Sequence, residues 1–351
     1  MTSTALERVA VFRALQLGDM LVAVPALRAL RAAFPRAHLT LVGQPWAREL
    51  ARRLPWLDGF LAFPGYPGLP EREPEPSAID AFFDQVAQLD PDLAVQLHGS
   101  GEISNTIVAR FGARRIAGFH PAGEASPDPR WFVPWPAMGR EAERLMQLPL
   151  HLGAPHTGLA LEFPLQAADH LELERFWAGN GGPARDYICI HPGARWRSRR
   201  WPAERFAAVA DALRGRGHRI VLTGSAGETQ TLAAFRSYVG EPPIDASGRT
   251  SLGGLGALIA GARLLLCNDT GVAHLAAALG TPAVIVSSGA DVRRWAPLDS
   301  GRHRMLHHDT ACRPCMHEQC PTGHECALGV GTQDVISQCL HLLQNGVRHA
   351  A

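Results

Sequence analysis

Several features that would assign this 351-residue chain to a common class are missing from its sequence. Neither G-x-G-x-x-G nor G-x-x-x-x-G-K-[ST] occurs, which weighs against a dehydrogenase with a dinucleotide fingerprint and against a P-loop enzyme. An excess of charge is also missing, because 34 lysine and arginine residues are balanced by 33 aspartate and glutamate residues. The formal net charge of +1 gives no reason to expect nucleic acid as a partner.

Targeting and membrane-spanning patterns are missing as well. Residues 1–8 lack the basic stretch and apolar run of a secretory signal, and no run reaches the roughly 18 apolar residues that a membrane span needs. Cys189, Cys267 and Cys339 are isolated in apolar or helical segments, where we expect small buried side chains. Scattered thiols without a signal predict a reducing compartment, and hence a cytoplasmic protein.

What the sequence does contain is an alternation of strand-like and helical patterns. Strands are predicted at residues 8–13, 38–42, 93–97, 115–118, 187–190, 218–223, 263–267 and 283–287. Helices are predicted at residues 21–34, 103–111, 203–214, 228–238, 252–259 and 271–279. This order predicts an α/β protein with mostly parallel sheets and helices on both faces.

The alternation stops and restarts once. The pattern is interrupted within residues 167–185, where Gly181, Gly182 and Pro183 occur together. We therefore predict an N-terminal domain at residues 1–166, a C-terminal domain at 186–333, and a terminal helix at 334–351 that could pack back on the first domain. Residues 63–76 and 121–136 are predicted loops. In the second loop, Trp131 and Trp135 should pin the loop to the protein surface. The alternative is that these two tryptophans contact the acceptor.

Ligands of parallel sheets bind beyond the carboxyl ends of strands, so the residues that follow each strand are the candidates for a site. Gly18 and Asp19 follow the first strand. On local pattern alone Asp19 is best explained as a helix N-cap, a position that aspartate favours.

The first strand of the second half ends in His191, Pro192 and Gly193. Four arginines follow within seven residues, namely Arg195, Arg197, Arg199 and Arg200. Such a concentration of guanidinium groups suits a diphosphate, whereas the alternative is a solvated basic loop.

The next strand ends in Gly224 and Ser225, and Glu228 follows at the start of a helix. A carboxylate at this place could bind ribose hydroxyls, as acidic residues do in dinucleotide folds. Equally, Glu228 could complement the helix dipole.

A third strand end carries the most specific pattern, Asp269-Thr270-Gly271 followed by His274. The amides at the start of the following helix form a ready anion site, and Thr270 adds a hydroxyl. His274 lies one turn into the helix, where it could face a ligand or pack in the core.

Four cysteines are clustered near the end of the chain, at Cys312, Cys315, Cys320 and Cys326. With His317 and His324 nearby they could bind structural zinc or iron. The spacings between the last three are not those of a standard zinc finger, so we expect packed thiols, with a structural metal as the alternative.

Taken in order, these pieces resemble glycosyltransferase family 9, the lipopolysaccharide heptosyltransferases. The matching segments are VFRALQLGDMLVAVPALRALRAAFP, DLAVQLHGS, RRIAGF, IHPGARWRSRRWPAERFAAVADAL, LTGSAGE, ASGRTSLGGLGALI and CNDTGVAHLAAALGTP. The tail CRPCMHEQCPTGHECALGV is most similar to heptosyltransferase II sequences.

The resemblance implies a GT-B fold, in which two Rossmann-like domains face a central cleft, with the acceptor in the N-terminal domain and the nucleotide in the C-terminal one. It further implies inverting, metal-independent transfer of a heptose-like sugar from an ADP-sugar to a lipopolysaccharide-core or related glycan, with peripheral contact to the inner membrane an option. Asp19 matches the family's presumed general base. The donor residues that it implies are Asp269, Thr270, Gly271, His274, Arg199 and Glu228.

One departure from the family concerns the segments 63–76 and 121–136, which do not resemble the core heptosyltransferases. They lie in the half that should bind the acceptor, so the acceptor could differ from the inner core. Two other functions stay open at this point: a nucleotide-sugar epimerase of the same architecture, and a non-catalytic nucleotide-sugar-binding protein.

Overall fold

The computed structural model describes residues 6–182 and 186–346, and the chain divides into two compact units between Glu162 and Phe163. Each unit is a parallel six-stranded sheet with helices, as the alternating sequence pattern predicts. The α/β class is therefore confirmed.

The first unit contains six strands in the order β3-β2-β1-β4-β5-β6. They are β1 (Arg8–Phe12), β2 (His38–Gly43), β3 (Gly59–Ala62), β4 (Leu93–Gln96), β5 (Arg115–His120) and β6 (Phe132–Pro134). Its helices are α1 (Leu17–Leu21), α2 (Val24–Ala33), α3 (Ala47–Ala51), α4 (Pro76–Gln88), α5 (Ser104–Ala109) and α6 (Glu141–His151). Central β1 is buried from Val9 to Phe12, as a strand covered on both faces must be.

The second unit repeats this design with the strand order β12-β11-β10-β7-β8-β9. The strands are β7 (Tyr187–His191), β8 (Arg219–Leu222), β9 (Ile244–Asp245), β10 (Leu264–Asn268), β11 (Ala283–Val286) and β12 (His303–Leu306). The helices are α7 (Ala167–Ala178), α8 (Ala203–Arg214), α9 (Thr229–Tyr238), α10 (Leu252–Ala260), α11 (Gly271–Leu279), α12 (Val292–Trp295), α13 (Glu325–Leu328) and α14 (Thr332–Gly346). Two short 3-10 turns occur at Arg197–Arg199 and Ala226–Glu228.

The terminal helix α14 packs within the second unit, against α8, β10 and β11. Its side chains Val335, Ile336 and Cys339 belong to the same buried cluster as Ile190 and Leu266 of the second sheet. The prediction that residues 334–351 could pack back on the first domain stays a prediction. The part of this segment beyond residue 346 lies outside the described residues.

The structure corrects several predicted elements. The helix predicted at residues 21–34 is two helices, α1 and α2, and Pro25 stands at the second position of α2, where its missing amide costs nothing. The predicted link at residues 167–185 begins with helix α7, which packs on α10. Its hydrophobic pattern is weak because it buries little more than Asp169 and Trp177. The last predicted link residues, 183–185, lie outside the described part of the chain.

The two predicted loops are ordered by aromatic contacts. Residues 121–136 contain the short edge strand β6, which their proline content concealed. Trp131 lies under the Arg115 guanidinium, and Trp135 meets Phe119 edge-on at a centroid distance of 4.8 Å. These contacts confirm that the tryptophans pin the loop. The isolated cysteines Cys189, Cys267 and Cys339 are buried, also as predicted.

Among the described residues, none of the helices is long and apolar enough to cross a membrane.

Candidate active site

The strand ends of the second unit are tied together by one buried amide, that of Asn268 at the end of β10. Its Oδ1 accepts a hydrogen bond from the Trp201 backbone N–H at 2.8 Å. Its Nδ2 donates to the carbonyls of Pro192 and Gly193, at 2.8 and 3.2 Å. Asn268 therefore fixes both ends of the arginine-rich loop. Sequence reasoning missed this role, although a polar amide at the end of an apolar strand was a usable signal.

His191 ends β7 and is held by a chain of hydrogen bonds. The Thr223 hydroxyl donates to the Ile190 carbonyl at 3.2 Å, so it accepts from the His191 ring, whose Nδ1 lies 3.1 Å away. This assigns a proton to Nδ1. The other ring nitrogen, Nε2, lies 3.6 Å from Oε2 of Glu228. The geometry thus places Glu228 beside His191, as neighbouring strand ends should.

Glu228 is a largely buried carboxylate with several partners. Burial raises the pKa of this group, but contact with His191 and hydrogen bonds from Ser225 outweigh burial and lower the pKa to about 2. The Ser225 amide and hydroxyl donate to Oε2 at 2.7 and 2.8 Å. A Cβ at Gly193 would collide with the carboxylate, so any other residue there would have to displace the Glu228 side chain. At neutral pH Glu228 is therefore an ionised acceptor held against the turn at Gly193.

A second cluster surrounds Asp269, which follows β10. The Ser287 hydroxyl donates to Oδ2 of Asp269 at 3.0 Å. Arg313 in turn donates to the Ser287 hydroxyl and carbonyl, at 3.1 and 2.8 Å. Burial raises the pKa of Asp269, while the Ser287 hydrogen bond and the charges of Arg199 and Arg313 oppose this rise. Arg313 was not predicted as a site residue. It lies more than 40 residues after the end of β10, and nothing in its local sequence indicates that it returns to that place.

Helix α11 begins directly after Asp269. Thr270 is its N-cap residue in extended conformation, and Gly271 is the first helical residue. The first amides of this helix have no carbonyl in an earlier turn to bind, which makes them suitable for an anion. His274 is buried one turn later, with its ring centroid 6.0 Å from that of Trp295. It is therefore a packed histidine close to the candidate anion site.

The four arginines of the loop after Gly193 differ in their exposure and in their hydrogen-bond partners. Arg195 and Arg197 are exposed, and Arg197 donates to Gln230 at 3.0 Å. Arg200 donates to the Ala194 carbonyl and the Thr231 hydroxyl, at 2.8 and 3.0 Å. Arg199 is directed towards the Asp269 cluster, where it donates to the carbonyls of Ser288, at 2.9 Å, and Cys315. Since the chain contains no lysine, any cationic side chain that meets a phosphate here belongs to an arginine or a histidine.

The cysteine segment lies against this arginine-rich loop. The Cys315 amide donates to the Gly289 carbonyl at 2.8 Å, and Ser198 donates to the carbonyls of Glu318 and His317. The segment therefore helps to fix Arg199. Cys312 is exposed whereas Cys326 is buried, and no group of three His, Cys, Asp or Glu side chains among the residues described here could hold a metal ion. Burial raises the pKa of Cys326, and the thiols of Cys315, Cys312 and Cys320 are nevertheless close enough to help raise it, so the structural metal site stays an alternative.

In the first unit, Gly18 and Asp19 follow β1 as predicted, but Asp19 does not cap a helix. The N-cap of α1 is Gln16, and Asp19 is the third residue of the helix. The backbone carbonyl of Asp19 accepts hydrogen bonds from Nε and a terminal nitrogen of the buried Arg13, at 2.9 and 2.8 Å. The capping interpretation is therefore wrong, and the side chain of Asp19 is half-buried at the carboxyl edge of the first sheet.

The structure therefore brings the predicted residues of the second unit into two groups on one sheet edge. The first contains His191, Gly193, Ser225 and Glu228, near the β8 end marked by Gly224. The second contains Asp269, Thr270, Gly271, His274 and Arg199. Asn268 connects the two groups. A carboxylate can accept hydrogen bonds from ribose hydroxyls, and a guanidinium group together with the first amides of a helix can bind phosphates. The two groups of residues together therefore suit a nucleoside diphosphate.

A family model of glycosyltransferase family 9 (heptosyltransferase) matches residues 100–325. The chain belongs to this family. Lipopolysaccharide heptosyltransferase 2 of Salmonella typhimurium is 26% identical over 328 residues, which cover 84% of this chain and 89% of that protein. Several other curated heptosyltransferases are 30% to 34% identical, but the matched stretches cover only 31% to 60% of their lengths.

Solved structures of family 9 members share the fold. A glycosyltransferase of family 9 from Veillonella parvula superimposes with a TM-score of 0.81 at 21% identity, covering 97% of this chain and 98% of that one. The E. coli ADP-heptose lipopolysaccharide heptosyltransferase II gives a TM-score of 0.74 at 19% identity, covering 99% and 100%. The chain therefore has the GT-B fold predicted from the sequence.

Proposed function

We propose that this family 9 protein transfers a heptose-like sugar from an ADP-sugar to a glycan of the lipopolysaccharide core or a related acceptor, with inversion and without a catalytic metal. The names of its relatives supply the sugar, the nucleotide and the acceptor class. The observation that carries the proposal is that the Glu228 carboxylate and the cluster of Asp269 and Arg199 both lie at the carboxyl edge of the second sheet.

The proposed donor site has a distinct contact for each part of ADP. Glu228 is ionised and can accept hydrogen bonds from the ribose hydroxyls. The amides at the start of α11 and the Thr270 hydroxyl bind phosphate oxygens. Arg199 and Arg313 supply positive charge beside Asp269. His274 is buried in α11, and its packing keeps the start of this helix in place.

The proposed reaction is a single displacement. The acceptor hydroxyl oxygen attacks the anomeric carbon while the bond from that carbon to the diphosphate oxygen breaks, so the configuration inverts. The carboxylate of Asp19 accepts the hydroxyl proton, a role typically worth ~10²–10⁴-fold in rate. ADP leaves with the bonding electrons.

Stabilisation of the leaving group explains why a divalent ion is unnecessary in this proposal. Negative charge grows on the diphosphate oxygen as the bond breaks, and preorganised donors lower the barrier when they face that oxygen. Backbone amides of α11 and guanidinium groups provide such donors without proton exchange, because arginine stays charged at any relevant pH. Action in the cytoplasm, and contact with the inner membrane, stay predictions.

A transfer assay tests the proposal and separates it from its rivals. The protein is incubated with ADP-heptose, alone and with truncated lipopolysaccharide or short glycan acceptors, and products are identified by mass. We expect ADP release and a glycosylated product only when an acceptor is present. Conversion of the sugar without acceptor would identify an epimerase, and binding without turnover would identify a non-catalytic protein.

A further inference from the structure

Trp196 lies in the arginine-rich loop that follows β7, three residues before Arg199. It is the N-cap residue of the 3-10 turn at Arg197–Arg199, and its carbonyl accepts a hydrogen bond from the Arg199 amide at 3.0 Å. Side chains three residues apart lie on the same side of such a turn. The local fold therefore brings the indole ring of Trp196 and the guanidinium group of Arg199 together.

The contact between these two side chains is a cation–π interaction. The guanidinium carbon of Arg199 lies over the Trp196 ring, 5.5 Å from its centroid. Such interactions extend to about 6 Å, and tryptophan is the best aromatic partner for them. The indole N–H of Trp196 is buried and has no hydrogen-bond partner among the residues that the structure describes. The face of the ring, and not its N–H, is therefore what holds Arg199.

Arg199 is fixed on its other side by two carbonyls and still keeps donors for a ligand. One terminal nitrogen donates to the Ser288 carbonyl at 2.9 Å, and the other donates to the Cys315 carbonyl. A guanidinium group has five N–H donors, so these hydrogen bonds leave three. Burial raises the pKa of Asp269, and the charge of Arg199 opposes this rise. The three donors are thus held near Asp269, directly before helix α11.

The backbone of the turn is anchored by the cysteine segment. The Ser198 amide donates to the Glu318 carbonyl at 3.0 Å, and the Ser198 carbonyl lies 3.0 Å from Nε2 of His324. Because a carbonyl can only accept, this ring nitrogen carries a proton. With the backbone fixed in this way, the Trp196 ring restricts the side-chain torsions of Arg199, whose ordering costs conformational entropy.

We propose that Trp196 is a positioning residue of the donor site and acts through Arg199. Its ring holds the guanidinium group in place before the nucleotide binds, so that the remaining N–H donors meet the diphosphate oxygens with little further loss of side-chain entropy. The inference rests on the proposed function, because it requires an ADP-sugar donor. It adds a residue that sets how tightly the diphosphate is bound.

Titration with ADP tests the role of the ring. Trp196→Leu removes the aromatic face, whereas Trp196→Phe keeps a smaller face and removes the indole N–H. We expect ADP binding to be ~10-fold weaker in Trp196→Leu and within ~3-fold of the wild type in Trp196→Phe. Trp131→Leu is the matched control, because the Arg115 guanidinium lies over the Trp131 ring at the same distance of 5.5 Å but in the first unit. This control should bind ADP as the wild type does.

Coupling to Arg199 distinguishes positioning from direct contact with the nucleotide. Arg199→Met should weaken ADP binding by more than Trp196→Leu does, because it removes charge-assisted hydrogen bonds. In the Arg199→Met background, Trp196→Leu should change the ADP affinity by less than ~2-fold, since its partner is already absent. A ring that stacked on the adenine base would lose the same affinity in both backgrounds. Melting curves without ligand verify that each variant is folded, and Trp196→Met replaces Trp196→Leu if the leucine variant is not.

The outcomes separate the inference from the proposed function. If the wild type binds ADP and the folded Trp196→Leu variant binds it equally well, the inference is wrong while the proposed function stands. The same conclusion follows if Trp196→Leu loses equal affinity in both backgrounds, or if Trp196→Phe loses as much as Trp196→Leu. If the wild type binds no ADP, the proposed function fails and the inference fails with it.

Discussion

Replacement of Glu228 by glutamine tests the best-defined electrostatic feature of the donor site. The carboxylate is largely buried, and its neighbours lower its pKa from 4.5 to about 2. At 1.36 kcal/mol for each pKa unit, this preference for the ionised form corresponds to roughly 3 kcal/mol. A glutamine keeps one acceptor oxygen for the Ser225 amide and hydroxyl but loses the charge that faces His191.

The sign of the pH dependence follows from the lowered pKa. The carboxyl stabilises the folded state above its unfolded pKa of about 4.5, and this contribution is lost as pH falls from about 5 towards 2. At pH 3 the wild type should have lost about 2 kcal/mol of it. Glu228→Gln should be less stable than the wild type at pH 7, and the difference should shrink as the pH falls.

Denaturation by urea at pH 7, 4 and 3 measures this difference, with Glu241→Gln as a matched control because the Glu241 side chain is 77% exposed. The same variants are titrated with ADP at pH 7. Loss of a charged acceptor for ribose hydroxyls should weaken ADP binding by ~10-fold or more. A pH dependence identical in Glu228→Gln and the wild type would refute the electrostatic argument, and unchanged ADP affinity would remove Glu228 from the donor site.

Three further predictions concern the donor site and the cysteines. ADP should raise the melting temperature more than UDP or GDP at equal concentration, since a ligand at 100 times its Kd stabilises by about 2.7 kcal/mol; equal shifts would contradict the ADP assignment. Asp269→Ala should weaken ADP binding as well as turnover, because it removes the acceptor of the Ser287 hydroxyl at the start of α11; a variant with normal ADP affinity would contradict this. Protein purified without a metal-affinity tag should contain far less than one zinc or iron per chain, and chelators should leave turnover unchanged. If the protein contained one metal per chain, and the Cys312→Ser and Cys315→Ser double variant lost it, these cysteines would bind a structural metal.

The central strands and several helices could be predicted because their signals are local. The helices at Ala203–Arg214 and Gly271–Leu279 begin and end at the predicted residues, since apolar periodicity and a glycine or proline mark both ends. Helices α4 and α6 were missed because proline-rich segments precede them and Pro149 lies inside α6. Strand β9 was missed because two residues carry no periodicity.

The candidate site could be predicted only where its residues directly follow strands. His191, Ser225 and Asp269 were found in this way, because the carboxyl ends of parallel strands share one edge. Arg313 was not found as a site residue, since tertiary folding alone brings it next to Ser287 at the end of β11. Asp19 was first explained as a cap because the helix was predicted to begin at residue 21, whereas a separate short helix with Gln16 as its N-cap precedes that residue.

The account depends most directly on Asp19 as the general base, and one comparison tests it. Asp19→Asn keeps the size of the side chain and, since Gln16 is the N-cap, leaves the start of α1 unchanged. With ADP-heptose and a competent acceptor, we expect near-normal melting temperature and ADP affinity, and turnover reduced by ~10²-fold or more. Full turnover in Asp19→Asn would contradict the proposed mechanism, and the base would then have to be another residue of the first unit.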